Sequence, residues 1–194
     1  INYKLSNINF KKYVDQNNDG IIDELDVVLL GDYNPDILGG FGPRVQYKKL
    51  TVNLFFYYRL GQDIINGTRM DTEKMYNHDN QSKATNWRWR SPGDSTDVPR
   101  ALYNKGYNWL GSSRFVEDAS FLRLKTASIS YNLPKKMCKK MQVRDIKLYG
   151  TVYNLFTWTN YSGQDPEVGL GGTTSIPRDG SRTPPGRRIT LGLN

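Results

Sequence analysis

From Thr51 to Leu60 apolar side chains recur at every second residue, and that period of two confines this stretch to an extended, two-faced strand. Val52, Leu54, Phe56 and Tyr58 fall on one face, while Thr51, Asn53, Phe55, Tyr57 and Arg59 fall on the other. The same period returns at Ile146, Leu148, Gly150 and Val152, opposed by Lys147, Tyr149, Thr151 and Tyr153, and again at Ile189, Leu191 and Leu193. A shorter strand is expected between Leu38 and Tyr47, where Phe41, Val45 and Tyr47 alternate with Arg44 and Gln46. Between Phe121 and Tyr131 the phase changes, since Leu122 and Leu124 share one parity and Ala127, Ile129 and Tyr131 the other; a bulge near Thr126 reconciles them. The fold class is therefore all-β and antiparallel. With 13 Tyr, 4 Trp, 7 Phe and 18 Gly, the chain has the aromatic-rich, turn-rich make-up of strands with one watered face.

The connections are of two kinds. Tyr47-Lys48-Lys49-Leu50 is tight and Leu133–Arg144 is moderate, whereas 61–118 and 157–186 are far longer than hairpin loops need. Tight turns at one end and extended loops at the other match the asymmetry of outer-membrane barrels, whose short turns are periplasmic. Lys48, Lys49 and the Lys135–Lys140 cluster would then sit at a headgroup-facing rim, although a solvated turn is the simpler reading. The expected organisation is an extracellular loop region over 1–36 and barrel strands over 37–194. The rival fold is a secreted, calcium-stabilised β-sandwich that binds glycans, in which the apolar faces would press on each other.

The net charge of +8 admits a nucleic-acid partner, but the basic residues are scattered and no nucleic-acid module is spelled out, so none is expected. Cys138 has no internal disulfide partner and no ligand neighbours at metal spacing. No run reaches the ~20 apolar residues of a spanning helix, and the first residues carry no signal-peptide pattern, as expected of a piece of a larger protein.

Asp15, Asn17, Asp19, Asp23 and Asp26 stand at positions one, three, five, nine and twelve of a loop with Gly20 at six, and Ile21 at seven offers its carbonyl. That spacing points to structural Ca²⁺, a hard cation taking six to eight oxygens. Asp26 replaces the Glu of an EF-hand, as in dockerin loops, and an Asx-rich turn without metal is the alternative. Trp87, Arg88, Trp89 and Arg90 could stack on sugar rings or a peptide, or brace loops against each other. Tyr57, Arg59, Tyr149 and Tyr153 would face an enclosed lumen. Asp165 and Glu167 are expected to anchor a loop, and His78 to be solvent-exposed without a nucleophile beside it. No catalytic constellation is expected.

Several ordered segments carry a resemblance. They include Gly31-Asp32-Tyr33-Asn34-Pro35-Asp36, Trp87-Arg88-Trp89-Arg90-Ser91-Pro92-Gly93-Asp94 and the stretch from Val116 to Lys125. Tyr131-Asn132-Leu133-Pro134, the run from Asn154 to Thr159, Tyr161-Ser162-Gly163 and Asp165-Pro166-Glu167-Val168 follow. In this order they resemble the C-terminal portion of SusC/RagA proteins. The resemblance implies a TonB-dependent importer of a Gram-negative outer membrane, with a barrel of about 22 strands, an N-terminal plug and a SusD-like surface lipoprotein. Its cargo would be an oligosaccharide or peptide, and the resemblance implies that Tyr57, Arg59, Tyr149 and Tyr153 line the substrate cavity or, as the leading expectation, grip the plug. Such proteins usually end with an aromatic residue shortly after Gly-Leu-Asn, whereas Asn194 is last here.

Overall fold

A computed structural model of the chain describes residues 3–5, 11–21, 23–105, 108, 110–167 and 177–194. In chain order the strands are β1 (Tyr3–Leu5), β2 (Lys11–Tyr13), β3 (Ile37–Phe41), β4 (Arg44–Tyr47) and β5 (Leu50–Leu60). They continue with β6 (Asp63–Ile65), β7 (Val116–Asp118), β8 (Phe121–Asn132), β9 (Lys147–Thr159) and β10 (Arg188–Leu193). Two short α-helices are α1 (Gly67–Glu73) and α2 (Lys135–Lys140).

One unit, built from 34–62, 119–160 and 184–194, is a twisted antiparallel sheet in the order β10-β9-β8-β5-β3, with β4 also paired to β5. Sequence-adjacent long strands are neighbours throughout, the meander that an up-and-down barrel wall requires. Register carries the two faces across the sheet without a break. Leu54 lies opposite Ala127, which lies opposite Val152, which lies opposite Ile189. Next to that row, Val52, Ile129, Gly150 and Leu191 align, and beyond it Leu50, Tyr131, Leu148 and Leu193.

The phase change in β8 is resolved as expected. Pairing passes from Leu124 to Thr126 and leaves Lys125 as the extra residue. In β9 the pairing steps from Phe156 to Tyr153, with Asn154 in the left-handed region at φ 53°. Both apolar parities of β8 therefore reach the same face. The strand expected over Leu38–Tyr47 is interrupted at Gly42 and Pro43, because proline has no N–H to give the ladder; its carbonyl still accepts from Leu54 N–H at 3.0 Å.

The apolar rows are uncovered, with Leu191 80% and Leu193 69% exposed. A β-sandwich would bury them under a second sheet, so the sandwich alternative fails here.

The second unit gathers 1–33, 63–118 and 161–183. The division is thus discontinuous, where the sequence reading drew a single boundary after residue 36. The described residues of the long connections hold ordered elements: β6 pairs with β7, Asn66 caps α1 by accepting Arg69 N–H at 2.9 Å, and Ile64, Phe115 and Tyr161 are buried.

Candidate functional site

The sheet sets the expected lumen-facing residues in separate register rows on β5 and β9. Tyr57 pairs with Arg123, Arg59 with Phe121, Tyr149 with Ser130 and Gly192, and Tyr153 with Thr126 and Arg188. A side chain on Gly192 would overlap the Tyr149 ring, so the glycine is what lets that tyrosine lie flat across the neighbouring strand. Lys125 Nζ stands 4.3 Å from the Tyr57 centroid, and the Arg188 guanidinium 4.4 Å from that of Tyr153. The strands of this sheet carry no Asp or Glu. A cleft of about 350 Å³ opens on this face between Lys125, Thr126, Tyr153 and Arg188.

The quartet Trp87–Arg90 divides. Trp87 ends a 3-10 turn over Lys83–Trp87 and is 78% exposed, free to offer its ring. Arg88 donates to the Thr85 carbonyl at 3.1 Å and Arg90 to that of Asn86 at 3.0 Å, while Trp89 N–H donates to Val98 O. The two arginines thus brace their own loop. Asp165 accepts Glu167 N–H at 2.8 Å, a loop anchor as expected. His78 is exposed against the Tyr103 ring. The resemblance residue Val168 lies outside the described residues.

The acidic loop closes on itself. Asp15 accepts Gly20 N–H at 2.8 Å, Asn17 accepts Asp19 N–H at 3.1 Å, Asp19 accepts Ile21 N–H at 2.8 Å and Asp23 accepts Leu25 N–H at 2.8 Å. Asp26 is buried and takes N–H donors on both oxygens, from Gln16 at 2.6 Å and Asp23 at 2.9 Å. Those donors of Asp23 and Gln16 hold its carboxyl below the usual range. Among the described residues no three His, Cys, Asp or Glu side chains converge as a metal group, so an ion would depend on Asn17 and the Ile21 carbonyl as well. One feature of the loop fits a cation: Asp15 Oδ1 is buried with no hydrogen-bond donor.

A buried ionic network escaped the sequence reading. Arg69 bridges Glu73 and Glu117, each at 3.2 Å, and Arg114 pairs with the other Glu73 oxygen. Glu117 also accepts from Asn66 Nδ2 at 3.1 Å, from Ser162 N–H at 3.0 Å and from Ser162 Oγ at 2.9 Å. Burial alone would push the Glu117 carboxyl up; the Ser162, Arg69 and Asn66 donors outweigh it and hold it below its ordinary value. Burial and the Asp179 carboxylate push the Tyr161 phenol up, so it stays a donor to Asp179, at 2.7 Å. Two of the segments that carry the resemblance, around Glu117 and Ser162, meet here.

A meander with one exposed apolar face and one polar, aromatic and basic face defines a class: it is wall from a transmembrane β-barrel. No protein-family model matches the chain. TonB-dependent receptors P26 and P3 of Formosa agariphila are each 34% identical to it and cover 94% of it, while SusC of Bacteroides thetaiotaomicron is 28% identical over 82% of it. The chain spans 19%, 18% and 15% of those relatives' lengths. The structure of the RagAB peptide importer in its open-open state matches with a TM-score of 0.77 at 25% identity, covering 99% of this chain and 21% of that one. The chain belongs to the SusC/RagA family of TonB-linked outer-membrane proteins, and its sheet consists of antiparallel strands of that family's barrel.

Proposed function

We propose that this chain is a passive wall-and-loop segment of an active nutrient importer, whose inward step is driven by TonB acting on a plug encoded outside the chain. The observation that carries the reading is that the sheet keeps two distinct faces from β3 to β10 across its bulges, which would supply a lipid surface and a lumen surface at once. Tyr57, Arg59, Tyr149 and Tyr153 meet the plug, and Trp87 offers a stacking ring to cargo or to a SusD-like lipoprotein. The cargo is an oligosaccharide or a peptide; the name of the RagAB importer supports the peptide side. No covalent chemistry is involved. Uptake of labelled peptide and oligosaccharide mixtures by cells carrying the full-length transporter tests this. Accumulation that requires both TonB and the neighbouring lipoprotein is expected; uptake indifferent to TonB contradicts it.

Calcium belongs to the same proposal. Asp15, Asn17, Asp19 and the Ile21 carbonyl would hold the ion, with Asp23 and Asp26 shaping the loop around it, and its role would be to stiffen a segment that has little apolar core. Substituting Asp15→Ala together with Asp19→Ala is expected to lower bound calcium by one ion per chain and to remove calcium-dependent protection of 15–33 from protease. An unchanged stoichiometry removes the site.

A further inference from the structure

The turn between β8 and β9 contains a feature that neither transport nor calcium uses. Its helix α2 advances about 100° per residue, which sorts its side chains into two flanks. Cys138, 1% exposed, points into the turn, and Met137 and Met141, 51% and 58% exposed, stand together on one flank. Lys135, Lys136, Lys139 and Lys140 occupy the other flank, all exposed, and Val143 and Arg144 follow in the same exposed stretch. A solvated turn accounts for four lysines. It does not account for two thioether side chains, one helical turn apart, held side by side in water.

The location decides what covers them. Ile146 continues the apolar row of Leu148, Gly150 and Val152, yet it is 8% exposed while Leu148 beyond it is open. Leu133 N–H donates to the Ile146 carbonyl at 2.9 Å, so the turn that carries α2 closes at this buried residue. The helix therefore lies at the end of the sheet, beside the row of Tyr131, Leu148 and Leu193 on its apolar face. At that level a bilayer passes from acyl chains to phosphates, and a methionine flank beside a lysine flank matches that boundary.

We propose that α2 is an interfacial anchor for anionic phospholipid: Met137 and Met141 enter the acyl boundary, and Lys135, Lys136, Lys139 and Lys140 bind the headgroup phosphates. The assignment rests on the barrel reading, with its short turns towards the periplasm, and so names the inner leaflet. A lysine near an anionic surface contributes about five-fold in binding, so neutralising four weakens it by up to about 600-fold.

The test uses the full-length transporter in detergent, titrated with phosphatidylglycerol, phosphatidylcholine or lipid A, with retained lipid read by native mass spectrometry and thermal midpoint. Phosphatidylglycerol is expected to bind and stabilise in preference to phosphatidylcholine. K135Q/K136Q/K139Q/K140Q loses that preference, M137S/M141S weakens binding of both phospholipids, and K105Q, a change at an exposed lysine of the loop unit, retains it. Equal binding of phosphatidylglycerol by the quadruple variant, or no preference in the unaltered protein, overturns the proposal. Selective binding of lipid A instead assigns the helix to the opposite leaflet and overturns it too. Failure of the barrel reading looks different: the protein would stay monodisperse without detergent.

Discussion

Arginine at Leu54 is expected to keep much of the full-length protein from reaching its folded state in the outer membrane. Leu54 on β5 begins an apolar row that runs through Ala127 on β8 and Val152 on β9 to Ile189 on β10, so a guanidinium there would face hydrocarbon. The cost of Arg on the lipid face of a barrel is about 2–4 kcal/mol near the midplane. Thr151→Arg is the matched control. Its site lies in the adjacent register row but on the polar face, between Ser128 and Thr190, whose small side chains leave room for the new one. The folded fraction in outer-membrane extracts, followed by urea titration, should fall sharply for Leu54→Arg and little for Thr151→Arg. Equal effects would mean that the two faces do not differ in environment.

Glu73→Ala is expected to unfold much of the loop unit while leaving the sheet in place. Glu73 is buried between Arg69 and Arg114, and Arg114 is 5% exposed at its side chain, so removing the carboxylate strands a guanidinium that water cannot reach. Breaking a buried pair in this way costs about 3–5 kcal/mol. Hydrogen exchange should accelerate across 63–118 and remain slow in β5, β8 and β9. The same network sets an acid limit. Because the Glu117 carboxyl is held below its ordinary value in the folded unit, its contribution is present at neutral pH and above the ordinary carboxylate range near ~4.3, and is lost as pH falls through its lowered value. Protection of the loop unit should decline below about pH 4, and Glu117→Gln should flatten that decline.

The sheet was legible in the sequence because a period of two leaves little freedom: once β5 and β9 set which parity is apolar, the parity change at Lys125 had to be a bulge. The loop unit was not legible for the opposite reason. Glu117 finds Asn66 across 51 residues and Ser162 across 45, and Arg114 finds Glu73 across 41, pairings that no local spacing announces. For the Trp87–Arg90 run the sequence leaves stacking and loop bracing both open, because composition cannot tell an exposed indole from arginines committed to the Thr85 and Asn86 carbonyls. At the β8–β9 turn the lysines were visible, but their meaning depended on where Met137 and Met141 point, which only the fold around Cys138 and Ile146 fixes.

Spin labels placed one at a time from Lys147 to Tyr153, in the full-length protein with Cys138 replaced by serine and reconstituted in bilayers, give the most direct test of the two-faced wall. Oxygen collision rates should peak at 148, 150 and 152, and those of a polar nickel complex, if any, at 147, 149, 151 and 153. A profile without that alternation, or with its phase reversed, would contradict the assignment of this strand to a membrane-spanning barrel.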